Sequence, residues 1–117
     1  MELNEIAEAE VWVPQACTLP TAEQPLRLAE FDALFAEAVR GVDRVEPGRV
    51  RLELEADAQT AGRTAELMAR ETGCCSFFTF TLTVTGGRLW LEVAADARHI
   101  GVVDALAARA ASLAGAL

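Results

Sequence analysis

The chain has 117 residues, 52% of them apolar, which is enough for one hydrophobic core and excludes global disorder. Ten basic residues, all arginine, stand against 18 acidic ones, and there is no lysine, no tyrosine and one histidine. The resulting net charge of −8 disfavours phosphate backbones and anionic membranes as partners, and the missing residue types exclude Schiff-base lysine and tyrosine acid–base chemistry.

The first residues, MELNEIAEAE, are acidic and lack the basic-then-apolar order of a signal peptide. No uncharged run reaches the ~18 residues that span a bilayer. A cytoplasmic location is therefore expected, where three cysteines read as thiols or metal ligands rather than a disulfide framework.

Residues 1–9 read as an acidic arm, and 10–117 as a single α+β domain. Glu10 to Val13 is strand-like, and Pro14 places it at an edge or ends it. Gln15 to Gln24, with Cys17, Pro20 and Thr21, reads as a loop. A helix is expected from Pro25 to Arg40, with Leu28, Phe31, Phe35 and Ala38 on one face and Gly41 past its end. Val42 to Gly48 reads as a connection. Arg49 to Glu55 alternates as a strand with one wet face.

Asp57 is the expected cap of a second helix that buries Ala61, Ala65, Met68 and Thr72 and loosens or ends at Gly73. Phe78, Phe80, Leu82 and Val84 then alternate with threonines up to Gly86-Gly87, a two-residue hairpin turn. That turn sets Val84 against Leu89, Leu82 against Leu91 and Phe80 against Val93. A third helix starts near Asp96 and buries Ile100, Val103, Leu106, Ala110 and Leu113. The order β-α-β-α-β-β-α predicts a two-layer α+β sandwich, with helices on one face and an antiparallel hairpin in the C-terminal half.

Cys74 and Cys75 sit where the second helix gives way to the hairpin. With Phe78 opposite Ala95, the pair lies near Asp96, Arg98 and His99 at one end of the sheet. Vicinal thiolates select soft ions: Hg(II), As(III), Zn(II) or Cu(I). Cys17 would complete a three-thiolate site, and His99 a tetrahedral zinc site. The metal candidates are thus Cys17, Cys74, Cys75 and His99. Against this, Cys75 continues the Met68 face and reads equally as core, and buried cysteine is common. Glu71 is a candidate ligand or thiol partner, although a helix-surface carboxylate is ordinarily solvated. Trp90, on the polar face of its strand, and Trp12 suggest an oligomer contact or a second apolar layer.

The stretches Val13-Pro14-Gln15-Ala16-Cys17-Thr18-Leu19-Pro20 and Glu71-Thr72-Gly73-Cys74-Cys75-Ser76-Phe77-Phe78, the latter followed by Thr79-Phe80-Thr81-Leu82 and Leu89-Trp90-Leu91, resemble small actinobacterial-type proteins. These carry Cys-Cys-(Ser or Pro)-Phe before a hairpin, and some are linked by context to mercury or arsenic resistance. The resemblance covers most of the chain and implies that Cys17, Cys74 and Cys75 are the residues to watch, without supplying an activity.

Three functions follow as expectations. The first is thiol-based binding of a soft metal or metalloid ion for resistance or delivery. The second is a thiol-dependent enzyme, either organomercurial-lyase-like with Cys17, Cys74 or Cys75 and Asp96, or a reductase using a Cys17–Cys75 disulfide. The third is a dimeric interaction protein whose cysteines are structural.

Overall fold

The computed structural model describes residues 24–114. Helix α1 (Gln24–Ala38) runs directly into β1 (Val39–Glu46), which turns through Pro47-Gly48 into β2 (Arg49–Leu54). Helix α2 (Ala58–Cys74) leads to the hairpin β3 (Phe78–Thr85) and β4 (Arg88–Ala95). A 3-10 turn (Ala97–His99) opens helix α3 (Ile100–Leu113). The four strands form one antiparallel sheet in the order β1-β2-β4-β3.

The α+β sandwich and its C-terminal-half hairpin are as the sequence predicts. Val84 pairs with Leu89, Leu82 with Leu91, Phe80 with Val93 and Phe78 with Ala95. Gly86 and Gly87 both have positive φ, 56° and 75°, which a tight turn matched to the strand twist requires. The strand expected at Glu10 to Val13, the acidic arm and Cys17 lie outside the described residues.

Two local expectations are corrected. Val42 to Gly48 is not a connection but most of strand β1 and its turn, so the first helix ends at Ala38 rather than Arg40. Helix α2 buries Thr64, Leu67, Met68 and Glu71, whereas Ala65 is exposed and Ala61 and Thr72 are half-buried. The buried stripe therefore lies to one side of the expected one. Leu67 sets its direction, and the polar look of Thr64 and Glu71 hides it.

The core lies between the sheet and the helices. Val50, Leu52, Leu54, Leu89, Leu91 and Val93 form the sheet's inner face and are all buried. Phe31, Leu34 and Phe35 of α1 and Val103, Leu106 and Ala110 of α3 close over them. Each fully buried large apolar side chain contributes about 1.5–3 kcal/mol. Helix α1 touches both other helices. A bidentate Arg109–Asp32 pair (2.9 and 2.7 Å) ties it to α3, and Arg70–Glu30 (3.2 and 3.0 Å) ties it to α2.

The outer face of the sheet is polar. Trp90 is half-buried there because guanidinium groups cover its ring, Arg88 at 4.6 Å and Arg51 at 5.7 Å from the centroid. Arg88 is held in turn by Glu53 at 2.9 Å, and Arg49 by Glu92 at 2.7 Å. Among the described residues, no helix is long and apolar enough to cross a membrane.

Asp57 caps α2 as expected, its Oδ1 accepting the Thr60 N–H at 2.7 Å. Asp57→Ala leaves that donor to water and is expected to cost about 1 kcal/mol, read as a lower urea midpoint at unchanged m-value. An unchanged midpoint would contradict the cap.

Candidate functional site

The C-terminal end of α2 carries the vicinal cysteines. Cys74 is the last helical residue, and Cys75 still closes the final turn by donating its N–H to the Glu71 carbonyl at 2.7 Å. The helix stops there because Cys75 leaves helical geometry, at φ −124° and ψ 83°, and its carbonyl accepts from Phe78 N–H as the chain enters β3. Cys74 is half-buried and carries a thiol. Cys75 is fully buried at 0% exposure and disulfide-bonded. The expectation that the cysteines are thiols rather than disulfides therefore holds for Cys74 and is corrected for Cys75. Its reading as a core residue is met.

The predicted approach of this segment to the start of the last helix is realised through Phe77. Its ring stacks on the His99 imidazole, with centroids 4.1 Å apart and planes at 8°. Phe77 also meets Phe78 at 4.6 Å, so aromatic side chains wall this end of the sheet. Asp96 Oδ1 lies 2.7 Å from His99 Nδ1 and accepts the Arg98 N–H at 3.1 Å. The hydrogen bond from His99, more than any other influence, holds the Asp96 carboxyl below its ordinary range. A proton on Nδ1 leaves Nε2 as the acceptor atom of the neutral ring, the arrangement that commonly orients a ligating or acid–base histidine. Arg98 is exposed, and its side chain adds only positive charge to this rim.

These residues share one end of the sheet but do not converge. Among the described residues, no three His, Cys, Asp or Glu side chains come together as a metal-binding group. Cys74, Cys75 and His99 thus lack the mutual approach expected of direct co-ligands, and Cys17 lies outside the described residues.

Glu71 departs from the solvated helix-surface carboxylate expected of its position. Its side chain is not solvated but buried, at 1% exposure. It accepts a 2.6 Å hydrogen bond from Arg27 Nη1, whose own side chain is 11% exposed. Burial pushes the Glu71 carboxyl up, and Arg27 pulls the other way through its hydrogen bond and charge. Glu71 shares the buried side of α2 with Met68 and stands one helical turn before Cys75. The spacing Thr64, Leu67/Met68, Glu71, Cys75 was the available signal. It follows the three- and four-residue step of one helix face. No protein family, curated protein or solved structure matches the chain.

Proposed function

We propose that the chain is a cytoplasmic thiol protein. It captures a soft metal or metalloid ion through Cys74 and Cys75, with Cys17 as third ligand, for resistance or delivery. The single observation that supports this is the half-buried Cys74 thiol directly beside the buried Cys75, at a helix end walled by Phe77 and Phe78. Vicinal thiolates suit Hg(II), As(III), Cu(I) or Zn(II).

Because Cys75 is disulfide-bonded, capture follows reduction. A cellular dithiol cleaves the bond, becoming a disulfide itself as it supplies two electrons and two protons. A divalent ion then displaces one proton from each of two thiols.

The same observation favours a second reading, a thiol–disulfide reductase in which Cys74 exchanges with the neighbouring disulfide.

Anaerobic titration with Hg(II), As(III), Zn(II) and Cu(I), followed by ultraviolet thiolate-to-metal absorption, tests the first reading. Reduced protein is expected to reach a stoichiometric endpoint. The oxidised protein and the Cys74→Ser/Cys75→Ser variant lose it. No saturable signal with any ion, or an endpoint that survives in the variant, sinks the proposal. Turnover of a small disulfide or an organomercurial would instead support an enzyme.

A further inference from the structure

The two edges of the sheet differ in kind. Strand β1 is guarded. It carries Arg40, Asp43, Arg44 and Glu46, and its pairing with β2 is shifted twice, between Val39 and Gly41 and between Arg44 and Glu46. Charges and bulges of this sort prevent a further strand from adding. Strand β3, Phe78-Thr79-Phe80-Thr81-Leu82-Thr83-Val84-Thr85, has no charge and no proline, and its register with β4 is unbroken.

Hairpin geometry settles which of its backbone groups face outward. Thr85 and Arg88 flank a two-residue turn, and the pair that closes such a turn is hydrogen-bonded. Alternation then points the N–H and C=O of Phe80, Leu82 and Val84 away from β4. Among the described residues, β3 has no other strand neighbour.

A shallow apolar groove of about 250 Å³ runs beside this edge, with Ala65, Ala69 and Thr72 of α2 on one wall and Phe80 and Leu82 on the other. Val84, on the same side of the sheet, is 69% exposed.

We propose that the β3 edge is the interface between two copies of this chain, paired antiparallel about a two-fold axis through Leu82. The register is self-complementary. Leu82 meets Leu82, Phe80 meets Val84 and Val84 meets Phe80, so every outward backbone group of one copy faces an outward group of the other. The pairing makes roughly six backbone hydrogen bonds. Directly opposed side chains in an antiparallel pair lie on the same face. Each copy's Phe80 and Val84 therefore extend the other's apolar surface beside α2, and the small Ala65 and Ala69 leave room for them. Thr81 meets Thr83 on the outer face. Among the described residues, joining the β3 edges leaves only the two guarded β1 edges, so assembly closes at the dimer. The net charge of −8 per copy opposes association, so the dimer tightens as salt rises.

Sedimentation equilibrium and hydrogen exchange test this. Wild type is expected to be dimeric at micromolar concentration. The amides of Phe80, Leu82 and Val84 should gain protection as concentration rises, while those of Thr81 and Thr83 are protected throughout. Val84→Lys puts a charge at an exposed edge position and is expected to give a folded monomer. Val45→Lys, at a 43% exposed position on β1, is expected to leave the dimer intact. A monomeric wild type overturns the proposal. So does a dimer that Val84→Lys does not weaken, or concentration-dependent protection on β1 instead.

Discussion

Replacing Arg27 by alanine is expected to destabilise the fold by about 3–5 kcal/mol, measured by urea unfolding at neutral pH. The change leaves the Glu71 carboxylate at 1% exposure with its 2.6 Å partner gone. A lone buried charge costs far more than the pair it belonged to, because desolvation is no longer offset by attraction. Arg27→Met with Glu71→Leu removes both charges and is expected to recover most of the loss, which separates the electrostatic cost from simple loss of packing. An Arg27→Ala variant within about 1 kcal/mol of wild type would place the pair among ordinary surface contacts.

The same pair sets a pH dependence. Burial raises the Glu71 carboxyl in the folded chain above its unfolded value. Such a group binds its proton more tightly when folded. Its stabilising contribution is complete below the unfolded carboxylate range, near pH 4, and is lost as pH rises through the raised folded value. Glu71→Gln cannot titrate and should remove that slope. The stability of wild type minus that of Glu71→Gln is expected to fall from pH 4 towards neutrality. A difference that rises over this range would mean that Arg27 outweighs burial.

How much of this could be read from the sequence depends on whether local pattern and tertiary environment agree. The β3–β4 hairpin was legible to the residue because strict alternation on both arms and the Gly86-Gly87 turn demand the same register. Strand β1 was not, for a physical reason. Its two register shifts break the two-residue period, so Val39, Val42 and Val45 recur every third position, and Gly41 and Pro47 read as loop residues. The buried side of α2 was misplaced because Glu71 looks like solvent-facing helix. Only Arg27, 44 residues away, makes its burial tolerable.

The neighbourhood of the thiol site was half legible. Pairing Phe78 with Ala95 brought the cysteine segment towards His99, and the Phe77 stack completes that approach. The oxidation state of Cys75 has no signature in residue type or spacing. Adjacent Cys74 and Cys75 look alike in the sequence, yet the helix end divides them. One faces partly outward as a thiol, and the other turns into the core as a disulfide.

That division predicts a large difference in reactivity. In the native oxidised protein, iodoacetamide is expected to modify Cys74 and spare Cys75. After anaerobic reduction both are thiols, but Cys75 remains under the core residues that give it 0% exposure. Alkylation there must wait for local opening. An opening free energy of about 4 kcal/mol, well inside the global stability of a domain, slows it roughly 10³-fold relative to Cys74. Peptide mass mapping over a time course reads both rates. Sub-denaturing urea should accelerate Cys75 and leave Cys74 nearly unchanged. Equal rates in the reduced native protein would mean that the α2 end frays as a unit. The contrast bears directly on the proposed ion capture, since an ion bridging both sulfurs must meet Cys74 first and draw Cys75 out of the core. Binding is then expected in two phases, the slower one following the same urea dependence as Cys75 alkylation. A single fast phase would require that reduction alone releases Cys75.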